Sequence, residues 1–310
     1  MSTPLSLTIN DLQGSRRRRS KERRMRLVFQ VAAGVSVLIS ALILFTLVRG
    51  AIDFLRLVSI KDLIDHAKKP GWFPRRERFD LATVVLGSVI MGLIAMVVAV
   101  PFGIGTAIYL SEYASPKMRK TLKPVIEILA GMPSVVVGFF ALKFIAPSLV
   151  RPIFHPEKVQ NMMAAGIGIG ILIIPIMASV SEDALSAVPK ALREASYGVG
   201  ARKSSTVAKV VLPAAVSGIV AAFIIAVSRA IGETMVATMA GGLDGSGPRT
   251  TSALDPGLSI TAALTNASGG TDGVNGGASY QVLFFLGLLL FALTMILNLV
   301  GDRFVRRVRQ

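Results

Sequence analysis

The sequence predicts an all-α membrane protein with six transmembrane helices, and three observations carry that expectation. Of 310 residues, 52% are hydrophobic and only 17% charged, with a mean hydropathy of +0.63, a composition that leaves little room for soluble parts. The apolar residues gather into six runs long enough to cross a bilayer core, at 27–48, 81–110, 124–150, 162–181, 213–241 and 280–301. The net charge of +16 follows those runs: 21 of the 34 Lys and Arg fall on one side of the resulting topology and 11 on the other, with Lys143 and Arg229 inside spans. By the positive-inside rule that bias directs both termini to the cytoplasm, although eight basic residues in 49–80 oppose it.

The N-terminal run R-R-R-R-S-K-E-R-R-M-R ends at Arg26, directly before the first span. Basic residues in that position anchor topology, so no nucleic-acid partner is expected. No apolar core precedes the run as a signal peptide would require. Residues 1–26 therefore read as a basic cytoplasmic segment and 27–310 as the transmembrane domain. The chain has no cysteine, and its two histidines, His66 and His155, stand far apart with no H-E-x-x-H. Neither a metal, nor another cofactor, nor a catalytic residue is expected.

Taken in order, 49–80 carries Ile52, Leu55, Leu57, Val58, Ile60, Leu63 and Ile64, dense enough for a helix on the outer surface that packs or touches a partner protein. The next three spans hold Pro101 with Gly103 and Gly105, Gly131-Met132-Pro133-Ser134, and Gly166, Gly168, Gly170 with Pro175. Packing alone accounts for most of these glycines. Broken backbone is tolerated in a bilayer only where neighbours or a wet path satisfy it, so Pro101, Pro133 and Pro175 together suggest hinges.

Between the fourth and fifth spans lies a charged interruption, 182–213. Its centre reads as a short amphipathic helix, with Pro189 at the first helical position, Val188, Ala191, Leu192 and Ala195 on one face, and Lys190, Arg193 and Glu194 off it. Gly198 and Gly200 end it. Too short to span, the segment should rest on the cytoplasmic surface as a knob. G-V-G-A-R-K-S at 198–204 looks like a phosphate loop, but Arg202 stands where glycine is required before Lys203 and no buried strand precedes it. The chain itself is not expected to bind ATP.

The fifth span contains Arg229 and Glu233. A charge at a helix centre costs about 2.5–3.5 kcal/mol on insertion scales, so both should face the bundle interior or water. Four apart, they share a helix face, and they form either a self-neutralising pair or part of a pathway for a charged substrate. The planar fork of Arg matches a tetrahedral oxyanion and keeps its charge. The outer loop 242–279, rich in Gly, Ser, Thr and Asn, should be mobile. Within it, Asp255-Pro256 should cap a short helix through Leu258, Ile260, Ala262, Ala263 and Leu264, a candidate gate or docking surface.

Glu194-Ala195-Ser196, Gly200 and Val210-Val211-Leu212-Pro213 resemble the EAA loop of ABC importer permeases (E-A-A, Gly, I-x-L-P), with Ser196 for the second Ala and Val210 for the Ile. R-A-I-G-E-T-M at 229–235, with A-G-M-P-S in the third span, is similar to the phosphate-specific permeases of the PstC type, and the resemblance covers about 81–305. It implies an ABC importer type I permease-like bundle in a bacterial inner membrane that moves inorganic phosphate inward. Ala191, Leu192, Glu194, Ala195, Ser196 and Gly200 would couple to a separate ATP-binding ATPase of the PstB type. Arg229, Glu233 and Thr234 would line the substrate path. A second, PstA-type permease and a periplasmic PstS-type phosphate-binding protein would complete the assembly. From the residues alone, an ion-coupled anion transporter or channel, and a permease for sulfate or molybdate, remain open.

Overall fold

In the computed structural model the described residues are 16–64, 71–243, 245, 249–269 and 277–308. Residues 1–15 of the basic segment, His66 and residues 270–276 of the outer loop lie outside them. Internal contacts divide the chain into Met1–Arg49 and Gly50–Gln310. Helix α1 is Arg16–Leu57, so the basic run is itself helical and the helix outlasts the expected span at both ends. Its apolar residues from Leu27 to Val48 are mostly exposed, as suits a helix whose solvent is lipid.

From residue 50 onward the chain is built around one central helix. Short α2 (Ile60–Ile64) is followed by a hairpin of β1 (Trp72–Phe73) and β2 (Arg78–Phe79), with Trp72 opposite Phe79. Asp80 caps α3 (Leu81–Ile108) by accepting the Ala82 N–H at 3.2 Å, and α3 ends in a π-helical turn, Tyr109–Tyr113. Then come α4 (Pro116–Ala130) and α5 (Ser134–Phe140), which runs on as π-helix Ala141–Val150 into α6 (Arg151–Phe154). The central helix is α7 (Met162–Ser186), followed by α8 (Lys190–Gly198). Next, α9 (Lys203–Thr206) and the π turn Val207–Val211 lead into α10 (Leu212–Gly232). The π turn Ala237–Gly241, α11 (Ile260–Ser268) and α12 (Ala278–Val308) complete the chain.

Among the described residues, six segments are long and apolar enough to cross a membrane: Ser20–Leu57, Leu81–Tyr113, Ser134–Phe154, Met162–Ser186, Lys203–Gly232 and Ala278–Arg306. The protein is a multi-pass membrane protein. Small residues interleave around α7. Gly166 and Gly170 face Ile94 and Val98 of α3, while Gly103 of α3 faces Met177, and a Cβ at Gly166 would come within 2.6 Å of the Ile94 Cβ. Such exchange of small for large residues is what draws helices together where lipid removes the hydrophobic drive. At Gly87 the obstacle is backbone, with the Leu258 carbonyl oxygen 2.4 Å from where a Cβ would stand.

Several expectations change. The third span does not start at 124: Gly131, Met132 and Pro133 break the chain, and Pro133 (φ −60°, ψ 128°) is the extended N-cap of α5. The residue before a proline is driven from the helical region, so α4 stands as a separate amphipathic helix. Pro101 and Pro175, by contrast, sit inside continuous α3 and α7. The surface helix expected in 49–80 shrinks to α2. Phe54, Val58, Leu63, Trp72 and Phe79 are buried instead against Leu258, Ile260 and Leu286, so the packing role holds in a different conformation. Pro189 is the N-cap of α8, one position before the expected one. Ser259, not Asp255, caps α11, accepting the Ala262 N–H at 3.0 Å. Far from mobile, α11 is buried in the bundle through Ile260, Thr261, Ala262 and Ala263.

Candidate functional site

The fifth span departs most from expectation. Helix α10 stops at Gly232, Glu233 adopts an extended conformation (φ −70°, ψ 124°), and helical structure resumes at Met235. Positions 229 and 233 therefore do not share a continuous helix face. Arg229 is exposed, whereas Glu233 is 9% exposed. No ion pair joins them, and neither side chain has a hydrogen-bond partner among the described residues. Two intramembrane charges four residues apart have been separated by a backbone break.

The break is supported. The Glu233 N–H still reaches the Ala230 carbonyl at 3.3 Å, and its own carbonyl accepts the Thr261 hydroxyl at 2.8 Å. Thr261 belongs to α11, whose Ile260 N–H is held by Ser88 Oγ of α3 at 2.9 Å. Thus α11 is the piece of chain that satisfies the backbone freed at Glu233, which is how a bilayer tolerates an interrupted helix. Thr234 lies beside the break and its carbonyl accepts Thr238 Oγ1 at 2.7 Å. Gly138 of α5 packs on the Met235 carbonyl and Val236, and Gly168 of α7 on Val236. Lys143, the other cation that the sequence places within a span, is also exposed, on the side of its helix away from buried Ala141 and Ile145.

At the opposite end of α10 the charges are paired. Glu182, fully buried near the end of α7, accepts Arg119 and, at 2.8 Å, Lys123, both from α4. Lys123 reaches Asp183 as well, at 3.2 Å. The hydrogen bond to Glu182 raises the Lys123 pKa above the ordinary lysine value, against the opposing effect of burial. Arg193 of α8 binds Glu112 Oε1 of the α3 π turn through Nη2 at 2.7 Å and Nε at 3.2 Å. Its Nη1 and Nη2 also donate to the carbonyls of Val188 and Leu185 at 2.6 and 2.8 Å. Ser196 shares a 2.9 Å hydrogen bond with Thr206 of α9.

Ala191, Leu192, Glu194, Ala195 and Gly200 are all exposed, together with Tyr197 and Val199. The structure thus leaves the EAA-like residues of α8 and Gly200 open, with half-buried Ser196 bonded to α9, while Val211 of the same motif is buried. Gly200 has φ +80°, and a Cβ there would meet nothing within 4 Å, so the backbone angle rather than crowding requires glycine. Sequence reasoning passed over Glu112, Arg119, Lys123 and Glu182, and set Arg193 aside as an off-face charge. The usable signal was present: acidic residues at the ends of two spans beside basic residues in the loops that adjoin them.

Comparison with known proteins places the chain in a family. Residues 99–310 match the family described as binding-protein-dependent transport system inner membrane component, and the chain belongs to that family. Among its relatives, the phosphate transport system permease protein PstC of Mesorhizobium japonicum is 33% identical, over 77% of each chain. PstC of Haemophilus influenzae is 31% identical over 77% of this chain and 80% of its own. The probable ABC transporter permease protein YqgH of Bacillus subtilis is 29% identical over 96% and 94%. In fold, the chain is similar to a subunit of a bacterial ABC transporter involved in alginate import (TM-score 0.64, 14% identity, 95% of this chain and 100% of that one). It is also similar to one of the MetNI methionine ABC transporter (TM-score 0.53, 23% identity, 73% and 93%).

Proposed function

We propose that this permease subunit carries inorganic phosphate inward through an ATP-driven importer, as the names of its PstC relatives suggest. The observation that supports the reading most directly is Arg229: a cation within a span, exposed on this chain and unmatched by Glu233. A permanently charged donor fork on a membrane helix needs water, an anion or a partner subunit against it. Phosphate supplies the acceptors, and Glu233 and Thr234 border the break where the path would narrow. Glu233, screened from Arg229, would repel the anion onward.

In this reading α8 and its flanks face the cytoplasm, as do both termini, following the distribution of basic residues. Ala191, Leu192, Glu194, Ala195, Ser196 and Gly200 meet a separate ATPase, which binds the ATP. A second permease of similar fold closes the path, and an external phosphate-binding protein delivers the ion. Pro101, Pro133 and Pro175 serve as hinges, with Pro133, at a true chain break, the strongest of the three.

The test is uptake of radiolabelled phosphate by the full complex in proteoliposomes with ATP, with sulfate and molybdate as competitors. ATP-dependent uptake resisting both competitors is expected, and Arg229→Gln, with or without Glu233→Gln, should cut it by about tenfold or more while the protein still inserts and assembles. Normal uptake by the Arg229→Gln variant would remove Arg229 from the path.

A further inference from the structure

We propose that Arg193 and Glu112 form the strut through which movement of α8 is delivered to α3, making them positioning residues for transport. This rests on the reading that α8 receives motion from an ATPase. No residue of α8 is buried, so apolar packing does not fix the helix to the bundle. Its attachment is polar, and Arg193 provides the larger part. The Arg193 side chain is 16% exposed and that of Glu112 5%.

The geometry joins three elements at one guanidinium. The Leu185 and Val188 carbonyls are at or beyond the end of α7, where backbone acceptors lack helical partners, and Arg193 takes both. The same group bonds Glu112 Oε1 through two nitrogens. A charge-assisted contact made from a planar fork fixes orientation as well as distance, so α8 cannot tilt without pulling on Glu112. Glu112 lies in the π turn that ends α3, and π turns are local irregularities frequent at functional positions. The second tie, Ser196 to Thr206, leads to α9, whose own junction with α10 is also a π turn. It is a single neutral hydrogen bond and cannot replace the first.

The experiment uses the whole complex in proteoliposomes and measures phosphate transported per ATP hydrolysed. The expected result for Glu112→Gln and Arg193→Gln is an intact complex that hydrolyses ATP but transports at least tenfold less phosphate per ATP, with Arg193→Lys in between. Because the chain has no cysteine, a Glu112→Cys, Arg193→Cys variant can be bridged with a short bis-thiosulfonate spacer. It should be uncoupled when reduced and regain at least half of the wild-type ratio when bridged. An unchanged ratio in the glutamine variants, or a bridged variant that regains nothing, overturns the strut. A wild-type complex without ATP-driven phosphate uptake would instead sink the functional reading itself.

Discussion

The two ends of the fifth span handle charge in opposite ways. At one end, Glu182, Arg119, Lys123, Glu112 and Arg193 are paired, with the carboxylates buried beneath the arginines and lysine. At the other, Arg229 and Glu233 lie four residues apart and do not meet, because the helix between them stops at Gly232. Paired charge within one chain ties elements together, whether to hold the fold, as at Glu182, or to couple α8 to α3, as at Glu112. Charge in a membrane span without a protein partner among the described residues marks the place to test for a functional role.

The contrast can be broken most severely at Glu182. Replacing both Arg119 and Lys123 by Ala leaves a fully buried carboxylate without its cations, and a stranded buried charge costs about 3–5 kcal/mol. Thermal unfolding in detergent should show a large loss, and an unchanged midpoint would mean that the cluster is not structural. Arg229→Gln should behave in the opposite sense. Its stability should stay within about 0.5 kcal/mol of wild type. Uptake should fall about tenfold to a hundredfold, since hydrogen bonds to a charged group are worth about 1.5–3 kcal/mol. If unfolding rather than uptake responds, Arg229 belongs with the structural charges.

Smaller changes sharpen the account of the exposed surface. Gly200→Ala forces a side chain into the left-handed region at a cost of about 1–2 kcal/mol, without any clash. It should weaken ATPase co-purification while leaving insertion intact, and unaltered recovery of the ATPase would count against that surface. Ser196→Ala removes one half-buried hydrogen bond, worth about 0.5–1.5 kcal/mol. Its effect should be confined to faster hydrogen exchange in α8 and α9, with the ion-paired end of α8 near Arg193 unchanged.

How much of this was legible in the sequence differs from place to place. The apolar runs at 81–110 and 162–181 located α3 and α7 to within a few residues, because hydropathy is local and bilayer thickness sets the length. The EAA-like spacing located α8 for a similar reason: its glycines and proline act on their own backbone. The third span was misjudged because α4 is apolar enough on one side to extend a run, and only the conformational effect of Pro133 separates it. The loop helix α11 looked mobile from composition, yet Ser88 and Thr261 bury it against α3 and Glu233, partners 172 and 28 residues away in the chain.

By itself, then, the sequence determined the number of spans, their approximate limits, the loop that stands out from them and the presence of two charges inside the fifth. Those follow from transfer energies and backbone preferences summed over neighbouring residues. Only the tertiary structure decided that Arg229 and Glu233 part company, that Glu182 is neutralised from α4, and that Arg193 ties α8 to Glu112. Each depends on groups brought together across 59 to 81 residues of chain or on a hydroxyl from a distant helix. Composition cannot report such pairings, because the energy of a charge in a membrane is set by what the fold places beside it.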